Sequence, residues 1–322
     1  MNPHVLGGTG IVVSEICLGC WGIGGPFWDR GGWMGYGNAD DAECVRALRC
    51  GLDMGVTFYD TADVYGCGHS ERLIGEAFAR RHDIVLSTKF GFLFDESERK
   101  VTGTDASPAA IRRSLEASLR RLRRDVIDVY GLHLWDHPIE RAGEVLETLD
   151  ALVEEGKVRG YVWLTDDIER VRIFARARHC AGAPQLLNVM EHNPELLAMC
   201  EEMGLAMLSR RPLGMGLLTG KFKPDTQFAE NDMRHRFGWN FRSGKQARAL
   251  EKLEAIRAVL TQDGRTLAQG ALGWIWARSP LAIPAPGFKN VQQVEENVGA
   301  VRFGPLGPDQ MCEIDSILAS IA

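Results

Sequence analysis

Residues 57–89 read TFYDTADVYGCGHSERLIGEAFARRHDIVLSTK, and they hold one complete strand, helix and strand unit. Thr57, Phe58 and Tyr59 are β-branched or aromatic, the types that suit a packed pleated surface, and Ile84, Val85 and Leu86 begin a second such run. Between them, HSERLIGEAFARR (69–81) has the amphipathic spacing of a helix. The first run ends by presenting Asp60, Asp63 and Tyr65 within six positions. Isolated aspartates after a strand mostly cap turns, so the rest of the chain decides whether this strand end is a site.

The same alternation continues to residue 301. An early strand is expected inside VVSEICLG (12–19), followed by TFYDT (57–61), DIVLSTK (83–89), VIDVYGLH (126–133), VRGYVWL (158–164), PQLLNV (184–189), LAMLSR (205–210) and LAIPAP (281–286). Helix patterns separate them: DDAECVRALRCGLDMG, SPAAIRRSLEASLRRL, EVLETLDALVEEGK, DIERVRIFARARH, PELLAMCEEMG and VQQVEENVGAV, with two more at about 246–263 and 267–277. Ser107 before Pro108 marks a helix start, and Gly156 and Gly204 mark helix ends. Strands flanked by helices throughout need both faces covered. The pattern therefore predicts an α/β fold, a parallel eight-stranded (β/α)8 TIM barrel, as one domain over residues 1–322. A doubly wound nucleotide-binding sheet should show GxGxxG after its first strand, and GCWGIGGPF (19–27) does not supply that spacing. The irregular stretch 221–245 is expected to lie over the catalytic face as a lid.

With 45% apolar and 25% charged residues and a net charge of −6, the chain has material for a large core and no global basic field for nucleic acid or an anionic membrane. Its densest basic run, Arg112 to Arg124, carries Leu115, Leu119 and Leu122 at helical spacing and reads as a solvated helix face. No apolar segment reaches the roughly 18–20 residues of a bilayer span. MNPHVLGGTG lacks the pattern of a signal peptide, so the cytoplasm is the expected compartment. Cys17 and Cys20 form a CxxC without a second ligand pair, and His133 and His137 stand alone, so no metal site is expected.

In a barrel, the C-terminal ends of different strands converge on one pocket. Asp60 and Tyr65 follow the second strand, Lys89 ends the third and His133 ends the fourth. Their chemistry is mutually consistent. A phenol with a pKa near 10 exchanges protons poorly at neutral pH, and an ammonium beside it favours the phenolate. Lys89 could be that ammonium, Asp60 its counter-ion, and His133 a second donor toward a substrate oxygen. Such a site protonates a carbonyl oxygen while a hydride reaches its carbon.

The stretches LGGTGIVVSEICLGCWGIGG, DTADVYGCGHSERLIG, STKFG, YGLHLWD, EEGKVRGYVWLTDD, RRPLGMGLLTGKF and PGFKNVQQVEENV together resemble the aldo-keto reductase superfamily over essentially the whole chain. The resemblance implies an eight-stranded barrel that binds NADPH across its catalytic face, with Asp60, Tyr65, Lys89 and His133 as the catalytic tetrad. It also implies that Pro212, Leu213, Gly214 and Gly216 wrap the pyrophosphate. Gly287 would let the backbone approach and Lys289 would meet the adenosine 2′-phosphate, with Gln293, Glu296 and Asn297 on the adenosine side. At the fifth strand end this chain has Val162, Trp163, Leu164 and Thr165 where relatives commonly carry a serine for the nicotinamide carboxamide, so the expectation is that either Thr165 and Asp166 take over or the carboxamide is held less firmly. Arg210 stands where many relatives have an aromatic residue under the nicotinamide; its plane can stack there, and its charge would disfavour the oxidised ring.

Trp21, Trp135, Phe237 and Trp239 are expected to line the substrate pocket, Trp21 also bordering the cofactor. The expected activity is reversible, NADPH-dependent reduction of an aldehyde or ketone, with Tyr65 as general acid. A redox-neutral epimerase or dehydratase acting on a sugar-like substrate, and a cofactor-sensing regulatory subunit, are the alternatives. The partner is a small carbonyl or sugar-like molecule, and the sequence does not fix an oligomeric state.

Overall fold

The computed structural model describes residues 1–79 and 81–321; Arg80, within the expected 69–81 helix, and Ala322 lie outside the described residues. The strands Val85–Phe90 and Ile127–Leu132 are buried along their whole length, the pattern of strands covered on both faces. They lie at the centre of a five-stranded parallel sheet in the order Val158–Trp163, Ile127–Leu132, Val85–Phe90, Phe58–Asp60, Cys17–Gly19. A second sheet places Gln185–Asn188, Met207–Arg210 and Ala282–Pro284 side by side in parallel, with the short antiparallel Glu191–His192 on its edge. Isolated parallel bridges lie at both edges of the five-stranded sheet: Tyr161 pairs with Cys180, which precedes Gln185–Asn188, and Gly19 pairs with Gly287, which follows Ala282–Pro284.

Successive strand residues point to opposite faces. Phe58, Val85, Val129, Val162, Leu208 and Ile283 pack together on one face, while Tyr59, Leu86, Tyr130, Tyr161 and Met207 pack with the helices on the other. Counting by twos along each strand from the first set reaches Asp60, Lys89, His133, Leu164 and Arg210. The period of two thus delivers the site residues to one end of the inner face. The opposite end is covered by the hairpin Pro3–Leu6 and Ile11–Ser14, whose Leu6, Ile11 and Val13 join the inner cluster.

Helices start where side chains cap them: Asp40 accepts from Glu43 N, Ser107 from Ala110 N, Asp167 from Arg170 N and Asn290 from Gln293 N. Gly156 and Gly204 follow helix ends at φ of 72° and 64°, the left-handed geometry that glycine takes without strain.

Three features differ from the sequence expectation. The VVSEICLG run is broken, because Ser14 donates to Ile16 O and exchanges hydrogen bonds with Thr57; only Cys17–Gly19 joins the parallel sheet. A four-stranded sheet of Gly32–Met34, Phe27–Asp29, Lys100–Thr104 and Phe92–Asp95 and a last helix, Pro308–Ser320, were not anticipated. Segment 221–245, expected to be irregular, follows the turn Gly214–Thr219 and contains a short helix, Met233–Arg236. That segment is pinned across to residues 29–38: Met233 N donates to Gly35 O, Asn231 Nδ2 to Asn38 Oδ1, and Arg236 Nη1 to Asp29 O.

Candidate active site

Lys89 is 1% exposed, and its Nζ donates to both carboxylate oxygens of Asp60 at 2.8 Å and to Thr61 O at 2.5 Å. Ser87 Oγ donates to Asp60 Oδ1 at 2.7 Å, which fixes the carboxylate from the neighbouring strand. A buried ammonium is tolerable only with such partners. Its Nζ is 5.4 Å from the centre of the Tyr65 ring.

Tyr65 is carried by the tight turn after Phe58–Asp60. Gly66 there has φ of 61°, and a Cβ on it would fall 2.0 Å from Gly24 O, so the turn that aims Tyr65 requires glycine. Trp21 stacks on Tyr65 at 5.4 Å, and His133 meets it edge-on at 5.7 Å. Phe92 and Trp135 flank His133 at 5.4 and 5.9 Å.

The two aspartates of the opening stretch separate here. Asp60 holds Lys89, whereas Asp63 points away from the cavity and is buried, with Oδ1 unpartnered among the described residues. Burial and the nearby Glu71 push its carboxyl well above the usual range, which favours the neutral acid. Its backbone serves the turn by accepting from Gly68 N.

Burial pushes the Tyr65 phenol up, and Lys89, Arg210 and Arg211 only partly oppose it. Lys89 alone therefore does not bring about the expected net lowering, and the Tyr65 phenol is protonated at neutral pH. Desolvation pulls Lys89 down, but Asp60 and then Tyr65 lift it, so it ends above its ordinary value and stays charged. Burial, with the cations Lys89 and Arg210, holds His133 well below the imidazole range, so it faces the site neutral.

These groups line one cavity of about 750 Å³, within the range of small-molecule and cofactor sites. Trp21, Arg210, Pro212, Leu213, Gly216, Gly287, Lys289, Gln293, Glu296 and Asn297 line it as well, as does Trp135. Five expected residues do not. Thr165 is buried, with its hydroxyl on Trp135 O and Asp167 N, and Asp166 is engaged by Arg210 and by Leu186 N. Gly214 lies in the turn but off the cavity wall. Phe237 is exposed, and Trp239 packs with Phe222, Phe228 and Phe241 in a separate cluster within the pinned 221–245 segment. The ammonium of Lys289 donates to the carbonyl oxygens of Tyr36, Gly37 and Asn38.

Sequence reasoning missed Phe27, Met34, Tyr36, Phe92 and Val101, which the unanticipated sheet and its flank contribute to the wall; Lys221 and Arg234, from the 221–245 segment expected over this face, line it as well. The alternation in FLFD and KVTGT, separated by a polar turn, was the available signal for that sheet. Arg234 is held by Asp232, reaches Met215 O at 3.1 Å and lies 5.1 Å from the Tyr36 ring.

The residues present fit an extended dinucleotide. Arg211, Lys221, Arg234 and Lys289 supply positive charge along the wall, and a Cβ on Gly287 would meet nothing closer than Gly19 O at 3.8 Å, so that backbone is open to close approach. Trp21 Nε1 and Arg210 Nε are buried and unpartnered among the described residues. Among the described residues no cluster of three or more His, Cys, Asp or Glu could hold a metal, and no helix is long and apolar enough to cross a membrane.

Residues 15–319 match the model of the Aldo/keto reductase family. The chain is 31% identical over 301 residues to the aldo-keto reductase yakc [NADP(+)] of Schizosaccharomyces pombe, covering 90% of this chain and 84% of that protein. It superposes on the glycerol dehydrogenase AKR11B4 of Gluconobacter oxydans with a TM-score of 0.84 at 30% identity, covering 100% of this chain and 96% of the other. An aldo-keto reductase of Klebsiella pneumoniae, solved in complex with NADPH, superposes with a TM-score of 0.72 at 26% identity, covering 98% and 95%. A match over nearly the whole length, joined to the arrangement of Asp60, Tyr65, Lys89 and His133, leads to one conclusion: this chain belongs to the aldo/keto reductase family.

Proposed function

We propose that this oxidoreductase uses NADPH to reduce the carbonyl of an aldehyde or ketone, reversibly, at the cavity where Tyr65 and His133 meet. The two parallel sheets are read as one closed eight-stranded barrel, joined at the Tyr161–Cys180 and Gly19–Gly287 bridges. The observation that carries the functional reading is the fully buried Lys89 ammonium, fixed on Asp60 and set against the ring of a protonated Tyr65. The names of the Schizosaccharomyces pombe relative and of the Klebsiella pneumoniae complex support the choice of cofactor.

When bound, NADPH supplies the hydride. The chain's own residues do the rest. Tyr65 and His133 hold the carbonyl oxygen, and Tyr65 gives that oxygen its phenolic proton as the C=O bond becomes CH–OH. Lys89, kept charged by Asp60, stabilises the phenolate left behind. Arg211, Lys221 and Arg234, with the backbone about Gly216, are the groups to hold the pyrophosphate, and Lys289, Asn290, Gln293 and Asn297 the adenosine side. Trp21, Phe92 and Trp135 form the aromatic wall that excludes water from the reacting centre. Incubation of the purified protein with NADPH and a panel of aldehydes, ketones and sugar aldehydes tests this: carbonyl-dependent consumption of NADPH supports it. Tight binding without consumption by any member overturns it.

A further inference from the structure

Arg210 ends the Met207–Arg210 strand on the inner face, two residues beyond Leu208, and its guanidinium lies 4.9 Å from the centre of the Trp135 ring. Among the described residues only one of its donors is taken, Nη2 by Asp166 Oδ2 at 2.5 Å, and Nε is buried without a partner. The side chain is 14% exposed while that of Asp166 is 42% exposed. The cation therefore faces the chamber of Tyr65 and His133, and its counter-ion faces water. Solvent screens the carboxylate far more than the guanidinium, so the field inside the chamber stays positive. The other charges facing it do not cancel this: Lys89 and Asp60 neutralise each other, Tyr65 and His133 are neutral, and Arg211 adds to it.

We propose that Arg210 sets the balance of affinity between the two redox states of the nicotinamide cofactor, favouring the neutral reduced ring over the oxidised cation. This rests on the proposed function, in which the ring lies beside Tyr65 within the chamber that Arg210 lines. NADPH and NADP+ share every group outside the ring, so the change in the ratio of their dissociation constants when the charge at Arg210 is altered reports the field at the ring. By linkage, the bound couple becomes more oxidising, and the equilibrium between bound substrate and product is tilted toward alcohol oxidation. A tenfold change in the ratio corresponds to about 30 mV in a two-electron couple.

The test is equilibrium titration of NADPH and NADP+ against protein fluorescence, with Trp21 and Trp135 on the cavity wall as reporters, for the wild type, Arg210→Met, Arg210→Lys and Asp166→Asn. Arg210→Met should shift the ratio by roughly tenfold toward NADP+, and Arg210→Lys should stay close to the wild type. Asp166→Asn, which leaves the guanidinium unpaired, should shift the ratio the other way. The same ratio in all four proteins overturns the proposal while leaving the reductase intact. Failure of the wild type to bind either form overturns the function on which the proposal rests.

Discussion

Replacing Asp60 by asparagine keeps the shape of the side chain and removes the charge that holds Lys89. Two hydrogen bonds of 2.8 Å then lose their ionic partner, and at 1% exposure of Lys89 solvent replaces little of what is lost. Thr61 O remains, but a single carbonyl does not neutralise an ammonium. Lys89 can stay charged and unpaired, which for a broken buried pair costs about 3–5 kcal/mol. It can instead give up its proton; taking a lysine from a pKa of about 10.4 to neutrality at pH 7 costs about 4.6 kcal/mol at 1.36 kcal/mol per unit. Both routes give the same size, so Asp60→Asn should destabilise the fold by about 3–5 kcal/mol. Urea unfolding followed by fluorescence measures it. The double variant with Lys89→Met should be more stable than the sum of the two single losses by about 2 kcal/mol or more, since removing both charges leaves none unpaired. An Asp60→Asn protein within about 1 kcal/mol of the wild type would refute the claim that this pair is charged and unhydrated.

Two further outcomes follow from the same geometry. Tyr65 and Lys89 lie above their ordinary values and His133 well below its own, so the proton-donating form, with Tyr65 and Lys89 protonated and His133 neutral, spans roughly pH 6.5 to 10. The turnover number for carbonyl reduction should stay flat across that window and fall above it, as Tyr65 and Lys89 lose protons; a falling limb centred between about pH 7 and 9 in a pH–rate profile would contradict the assignment. Lys289→Met removes both the tie to Tyr36, Gly37 and Asn38 and the ammonium proposed to face the adenosine end. It should weaken NADPH by roughly tenfold more than NADH in calorimetric titration, and an unchanged ratio would make Lys289 a clasp between loops only.

Much of this was legible in the sequence because it depends on local rules. The strand run TFYDT and the helix signals at Ser107–Pro108 mark elements through residue type and capping, and the strand period of two then fixes which residues share a face with Phe58 and Val85. Asp60, Lys89 and His133 could be placed together in the sequence because the C-terminal ends of barrel strands converge on one pocket. The parts that escaped depend on long-range geometry. Nothing local says that Phe92–Asp95 and Lys100–Thr104 fold over the mouth, or that Arg236 reaches Asp29 O and so turns Trp239 away from the cavity. Asp166 looked like a cofactor ligand at its strand end; only the fold shows that Arg210, 44 residues on, takes its carboxylate. The tuning of Tyr65 escaped for a related reason, since the sign of its shift depends on how deeply burial outweighs the cations around it.

The most direct test of the central claim is NADPH consumption by the wild type and by Tyr65→Phe, against one carbonyl substrate that the wild type turns over, with cofactor affinity measured in parallel. The phenylalanine keeps the ring that stacks on Trp21 and loses the proton donor. Turnover should fall by roughly 10²–10⁴-fold, the usual contribution of a positioned proton donor, while NADPH affinity stays within a few-fold of the wild type. Full turnover in Tyr65→Phe would contradict the assignment of Tyr65 as the acid and, with it, the chemistry built on Lys89 and Asp60.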